Sequence, residues 1–202
     1  VTVDELIPLA RAVVRGSQRA MVVADLPFGS YEASPELALA TSVRFFKESG
    51  VMAVKLEGAH IETVKKLVTS GIPVMGHLGL TPQSMHQLGG YRVQGRTDGD
   101  VIVEAAKALQ AAGAFAIVLE LVPAELAARI TAELTIPTIG IGAGVNCDAQ
   151  VLVWTDLMGI TKKAPKLAKA YRNLRAEMLA ATAEFAADVR SGQFPTEAQT
   201  FN

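Results

Sequence analysis

Four short apolar runs each finish on an ionisable residue: Val22-Val23-Ala24-Asp25, Ala53-Val54-Lys55-Leu56-Glu57, Val74-Met75-Gly76-His77 and Ile117-Val118-Leu119-Glu120. Side chains alternate across a strand, so Lys55 and Glu57 share one face and leave Val54 and Leu56 for the other. Asp25 and Glu57 are hard oxygen donors of the kind that hold Mg²⁺, and no Cys or His cluster favours zinc. Lys55 is either a Schiff-base former or an electrostatic anchor for a substrate carboxylate, and a neighbouring glutamate and metal favour the anchor. Glu120, preceded by four apolar residues, is a candidate general base through partial desolvation, or else an ion-pair partner of Arg92 or Arg96. His77 reads equally as a proton donor and as a residue that orients a loop. Such a set suits metal-assisted carbon–carbon bond chemistry on a small oxo acid.

The elements that must position these residues follow from the hydrophobic pattern. Short runs rich in Val, Ile, Leu and Ala at 20–25, 52–57, 73–77, 114–120, 138–141 and, more weakly, 151–154 read as buried parallel strands. Helical spacing fills the gaps. Ser34-Pro35-Glu36 has the form of an N-cap with proline at the first helical position, and Gly50 stops that helix. Further helices are expected at 3–14, 61–68, 101–112 and from Pro123, with a long C-terminal helix over 166–190. Alternating βα units predict an α/β fold with a parallel sheet. Because the C-terminal strand ends of a barrel converge on one mouth, the four ionisable ends favour a (β/α)₈ barrel over a flavodoxin-like open sheet, which would spread them.

The 202 residues, 50% hydrophobic and 19% charged, suit one domain over 1–202. A net charge of −1 with dispersed Lys and Arg offers no footprint for nucleic acid or an anionic membrane, so small molecules are the expected partners. The lone Cys147 cannot form an internal disulfide, and no long apolar span is present, which together predict a soluble cytoplasmic protein. A mean hydropathy of +0.30 suggests apolar surface buried between subunits. Gly140-Ile141-Gly142-Ala143-Gly144 lacks the dinucleotide-binding spacing and reads as a tight strand-to-loop turn. The long glycine-rich, basic connection over 79–96 is a candidate lid or holder of an anionic cosubstrate.

The sequence closely resembles the ketopantoate (3-methyl-2-oxobutanoate) hydroxymethyltransferase family. The resemblance rests on Ala24-Asp25-Leu26-Pro27-Phe28, Val54-Lys55-Leu56-Glu57-Gly58, Gly76-His77-Leu78-Gly79-Leu80-Thr81-Pro82-Gln83, Gly89-Gly90-Tyr91 with Val93-Gln94-Gly95-Arg96, and Leu119-Glu120. Residues 139–144 with Asp148, and Gly192-Gln193-Phe194-Pro195, extend it. It implies a TIM barrel, Mg²⁺, 5,10-methylenetetrahydrofolate as cosubstrate, a homo-oligomer that is commonly a decamer, and a place in pantothenate and coenzyme A synthesis. It also implies Asp25 and Glu57 in the metal site, Asp25 and Lys55 at the oxo acid, Glu120 as the proton acceptor, and His77 as a catalytic assistant. Two barrel strands, with a Gly-Asp-Ser element that completes the metal site, would then precede Val1. The alternatives are a Mg²⁺-dependent oxo-acid lyase or mutase of the phosphoenolpyruvate mutase and isocitrate lyase type, and a non-catalytic ligand-binding barrel.

Overall fold

Parallel strands whose order in space follows their order in the chain make the frame. A computed structural model describes residues 1–201 and divides the chain into two compact units, Val1–Val151 and a second from Leu152 onward. In the first unit the strands are β1 (Val23–Asp25), β2 (Ala53–Lys55), β3 (Val74–Gly79), β4 (Ala116–Glu120), β5 (Thr138–Ile141) and β6 (Ala149–Gln150). They form one sheet in the order β1-β2-β3-β4-β5-β6, with every neighbouring pair parallel. A flavodoxin-like sheet reverses direction at a switch point. This one does not.

Helix α1 (Val3–Gly16) precedes β1, and four helices connect the strands: α2 (Pro35–Ser49), α3 (Ile61–Thr69), α4 (Gly99–Ala111) and α5 (Ala124–Glu133). Local chemistry sets their ends. Thr2 and Glu5 form a reciprocal capping box at α1, Ser34 Oγ accepts from Leu37 N at the start of α2, and Gly50 closes α2 in the left-handed region. The helix-facing strand residues Ala24, Val54, Leu56, Val74, Leu78, Ile117 and Leu119 share one buried cluster with Phe45, Val64, Leu67, Leu109 and Ile130 from the helices. Val54 and Leu56 thus lie where strand alternation places them.

Strand bounds shift by up to three residues, with β2 stopping at Lys55 and β3 running on to Gly79, and two expectations near the C-terminal end shift further. The sixth strand forms at Ala149–Gln150 rather than 151–154, because Asp148 accepts hydrogen bonds from Thr138 N and Oγ1 and fixes the ladder earlier. Only Val151 N, donating to Gly140 O, prolongs it. In the second unit Trp154–Leu157 is a short helix (α6), and the C-terminal helix α7 spans Leu174–Ser191, not 166–190. Tyr171 N and Leu174 N donate instead to Leu157 O and Met158 O, and Asn173 caps α7 through Ala176 N, so helix cannot start earlier. Among the described residues no helix is long and apolar enough to cross a membrane.

Gly79 ends β3 with φ +92, and a Cβ there would collide with the carbonyl oxygen of Glu120. The close approach of β3 to β4 therefore requires glycine. Gly79→Ala is expected to lower unfolding stability by more than about 1 kcal/mol, read as the midpoint of urea denaturation. An unchanged midpoint would show that the strand ends tolerate separation.

Candidate active site at the strand ends

The register decides which strand-end side chains meet. Asp25 stands beside Lys55, Lys55 beside Met75, His77 beside Val118 and Gly79 beside Glu120. Residues paired across parallel strands share a face, so Asp25, Lys55, Glu57, His77 and Glu120 all project from the face opposite the helical core. They belong to four consecutive strands and would be neighbours whether or not the sheet closes. Their convergence follows from strand order, not from barrel closure as the sequence pattern alone had implied.

A continuous polar chain results. Lys55 Nζ lies 2.8 Å from Asp25 Oδ1 and 3.2 Å from His77 Nδ1. His77 Nδ1 is 3.8 Å from Glu57 Oε1, and His77 Nε2 is 3.2 Å from Glu120 Oε2. Exposure is graded along it. The side chain of Asp25 is 48% exposed, those of Lys55 and Glu120 16% and 13%, and those of Glu57 and His77 4% each. Asp25 lies at the solvent-open end, and His77 and Glu57 at the closed end. With Lys55 donating to Nδ1, neutral His77 carries its proton on Nε2, facing Glu120. That atom is nevertheless the one buried side-chain polar atom among the described residues with no well-aligned hydrogen bond. It meets Glu120 by distance without the angle a hydrogen bond needs.

Glu120 is partly buried, as its apolar run predicts, and its ionic neighbour is His77; neither Arg92 nor Arg96 pairs with it. The backbone just beyond it is unusual. Leu121 has φ 45, a left-handed conformation that costs a branched residue energy and tends to persist at functional sites. Its N–H donates to Ile141 O and its carbonyl accepts from Gln94 N, so β5 and the glycine-rich connection hold the strained residue from both sides. In that connection, Pro82–Ser84 forms a short 3₁₀ turn beside the site.

The carboxyl that burial pushes up is Glu57, against opposing effects from the Gln83 backbone N–H, His77 and Lys55. Tyr31 and Gln83 touch Glu57 directly: Gln83 N donates to Glu57 Oε2 at 2.9 Å, and Glu57 N donates to the Tyr31 hydroxyl at 3.2 Å. Sequence reading gave neither residue a role. The available signal was a lone tyrosine in an otherwise small and polar loop, Gly29-Ser30-Tyr31-Glu32.

Asp25 and Glu57 offer hard oxygen donors at adjacent strand ends. Among the described residues no group of three or more His, Cys, Asp or Glu side chains is arranged as a metal cage. Mg²⁺ is commonly held by one or two carboxylates, with water and substrate oxygens completing its shell, so this donor pair fits that ion better than zinc.

The family model described as ketopantoate hydroxymethyltransferase matches residues 1–197. The chain belongs to this family. A 3-methyl-2-oxobutanoate hydroxymethyltransferase of Frankia alni is 62% identical over 200 residues, covering 97% of this chain and 66% of that protein. Those of Saccharopolyspora erythraea and Acidothermus cellulolyticus are each 60% identical across the whole chain, which spans 70% and 76% of them. The chain thus spans roughly two thirds to three quarters of these relatives' length. Among solved structures, a phosphonopyruvate hydrolase (TM-score 0.53, 14% identity, all of this chain and 72% of that one) is similar in fold. So is a phosphoenolpyruvate phosphomutase from Streptomyces platensis (TM-score 0.54, 15% identity, 95% of this chain and 69% of that one). These two bear on the fold alone. The family and its named relatives favour hydroxymethyl transfer over the lyase or mutase reading, and an enzyme over a passive barrel.

The raised Glu57 carboxyl has a consequence for folding. A carboxyl that binds its proton more tightly when folded favours folding below its ordinary value near 4.5, and that contribution is lost as pH rises through the raised value. In metal-free protein, Glu57→Gln should therefore melt above wild type at about pH 7.5, the gain fading at about pH 4, where Glu57 is itself neutral. Equal melting temperatures at neutral pH would contradict the cost assigned to the buried charge.

Proposed function

We propose that this chain works in a (β/α)₈-barrel enzyme that transfers a hydroxymethyl group from 5,10-methylenetetrahydrofolate to 3-methyl-2-oxobutanoate. The products are 2-dehydropantoate and tetrahydrofolate, with one water consumed. The observation that carries the proposal is the row Asp25–Lys55–His77–Glu120, with Glu57 beside His77, at the ends of four neighbouring strands. Sequential order and uniformly parallel pairing are what a strand-and-helix barrel requires.

Each residue has a distinct task in this reading. Glu57 and Asp25 hold Mg²⁺, which when bound supplies a Lewis acid for the 2-oxo group. Lys55, anchored by Asp25 at the half-open end, offers its ammonium to the substrate carboxylate. Glu120, partly shielded from water, removes the C3 proton. The electron pair left at C3 forms the new bond to the folate-borne methylene carbon, that carbon's two bonds to folate nitrogens break, the consumed water supplies the hydroxyl, and the C3 proton and the water's second proton end on the two nitrogens. His77 Nε2 sits against the Glu120 carboxylate, where it stabilises that group's charge or shares its proton in the return step. The half-exposed Met178, Leu179, Phe185 and Val189 of α7 are consistent with a homo-oligomer, which completes the proposal together with a cytoplasmic setting.

In the full-length protein, loss of 3-methyl-2-oxobutanoate is expected to require both the folate and Mg²⁺, and absence of turnover with both present would sink the assignment. Glu120→Gln should abolish exchange of the C3 proton with solvent deuterium, followed by NMR, while leaving Mg²⁺ binding largely intact. Persistent exchange would move the base to another group.

A further inference from the structure

Tyr31 is 2% exposed, yet it lies in the loop between β1 and α2 rather than in a regular element. Its hydroxyl stands 2.7 Å from Gln83 Oε1, accepts from Glu57 N at 3.2 Å, and lies 3.5 Å from Glu57 O. Gln83 is equally committed. Its backbone N–H donates to Glu57 Oε2 at 2.9 Å and its side-chain Nε2 donates to Leu26 O at 2.9 Å. A carbonyl can only accept, so Leu26 O fixes which end of the Gln83 amide is nitrogen. Oε1 then faces the phenol, whose single proton goes to this shorter contact and whose lone pair is left for Glu57 N–H. Burial, with the nearby Glu32, Glu57 and Asp25 charges, holds the phenol above its ordinary range and keeps that proton in place.

The circuit closes on one carboxylate. The loop after β1 through Leu26, Glu57 two residues past β2 and the turn after β3 are tied together, with Glu57 Oε2 taken by a backbone N–H. Among the described residues Glu57 Oε1 accepts no hydrogen bond, and His77 Nδ1 stands 3.8 Å from it. One oxygen is clamped and the other presented, the arrangement by which supporting groups orient a metal-binding carboxylate.

The geometry points to Tyr31 and Gln83 as positioning residues that clamp Glu57 Oε2 so that Oε1 is presented to the divalent cation. This rests on reading Glu57 as a metal ligand. The Gln83 side chain acts on Glu57 indirectly, by fixing the turn that carries its backbone N–H. The phenol acts by fixing both that side chain and the Glu57 backbone.

The test uses Mn²⁺ as the probe on full-length protein, with no substrate or folate. Binding is titrated by electron paramagnetic resonance, and melting temperatures are taken with and without the ion. Tyr31→Phe and Gln83→Ala should each weaken Mn²⁺ binding by about 10- to 100-fold. Both should also shrink the Mn²⁺-induced rise in melting temperature, because that rise reports affinity for the folded state. A purely structural role would lower both melting temperatures in parallel and leave Mn²⁺ affinity at the wild-type value, which would overturn the inference. Glu57→Gln separates the two layers. If it binds Mn²⁺ as wild type does, the metal reading of Glu57 fails and the clamp falls with it. If it loses binding while Tyr31→Phe and Gln83→Ala keep theirs, only the clamp is wrong.

Discussion

The parallel register that sets Asp25 directly beside Lys55 is the constraint on which the mouth of the sheet depends. It points the Lys55 ammonium between an exposed carboxylate and a buried imidazole, and so fixes which histidine nitrogen is occupied. A slip of one residue would turn Asp25 or Lys55, whichever strand moved, into the apolar layer and bring Ala24 or Val54 out. That slip is opposed from the other face. Val54, Leu56 and Val74 are fully buried in the helix-facing core, and exposing them would forfeit roughly 1.5–3 kcal/mol each. The apolar layer thus holds the polar layer in register, and the site inherits its geometry from packing on the opposite side of the sheet.

The charged residues do little for stability in return. Lys55 and His77 are drawn from water to stand among three carboxyls, and burial raises the Glu57 carboxyl despite the neighbouring donors. A pair such as Lys55–Asp25 offsets its own desolvation only in part, while removing one partner leaves a poorly solvated charge. Surface pairs such as Arg44–Glu48 and Arg129–Glu133 on the helical layer are ordinary i,i+4 contacts worth a few tenths of a kcal/mol. Polar groups are concentrated where they cost most, and the strained Leu121 beside Glu120 follows the same pattern.

The legible parts of the fold were those governed by short-range rules. Apolar runs located the strand ends at Asp25 and Glu120 and came within two residues of those at Lys55 and Gly79, Ser34 and Gly50 marked the limits of α2, and period-two alternation sorted Lys55 and Glu57 from Val54 and Leu56. Elements set by long-range hydrogen bonds were not legible. Residues 151–154 carry a strand-like Val-Leu-Val-Trp pattern, but the ladder is positioned by Asp148 reaching back to Thr138, and a helical turn begins at Trp154. The start of α7 at Leu174, eight residues later than its apolar spacing suggested, is likewise set by Tyr171 and Leu174 donating to the segment around Leu157. At the site, the five expected residues were found together, whereas Tyr31 and Gln83 were invisible because their function lies in contacts across 52 residues of sequence.

Sequential strand order has a further mechanical consequence. In a sheet that reverses at a switch point, a ligand sits in a crevice between strands whose connecting helices lie on opposite faces. Here all connecting helices that pack on the buried core do so on one side, and the other face carries Ala53, Ala116, Val118 and Ile141 beneath the polar residues. These small and branched side chains form a dry floor under Lys55, His77 and Glu120. A low-dielectric floor strengthens each polar contact above it. The contacts at the strand ends thereby depend on the apolar residues two and four positions earlier on the same face, and not only on the charged residues themselves.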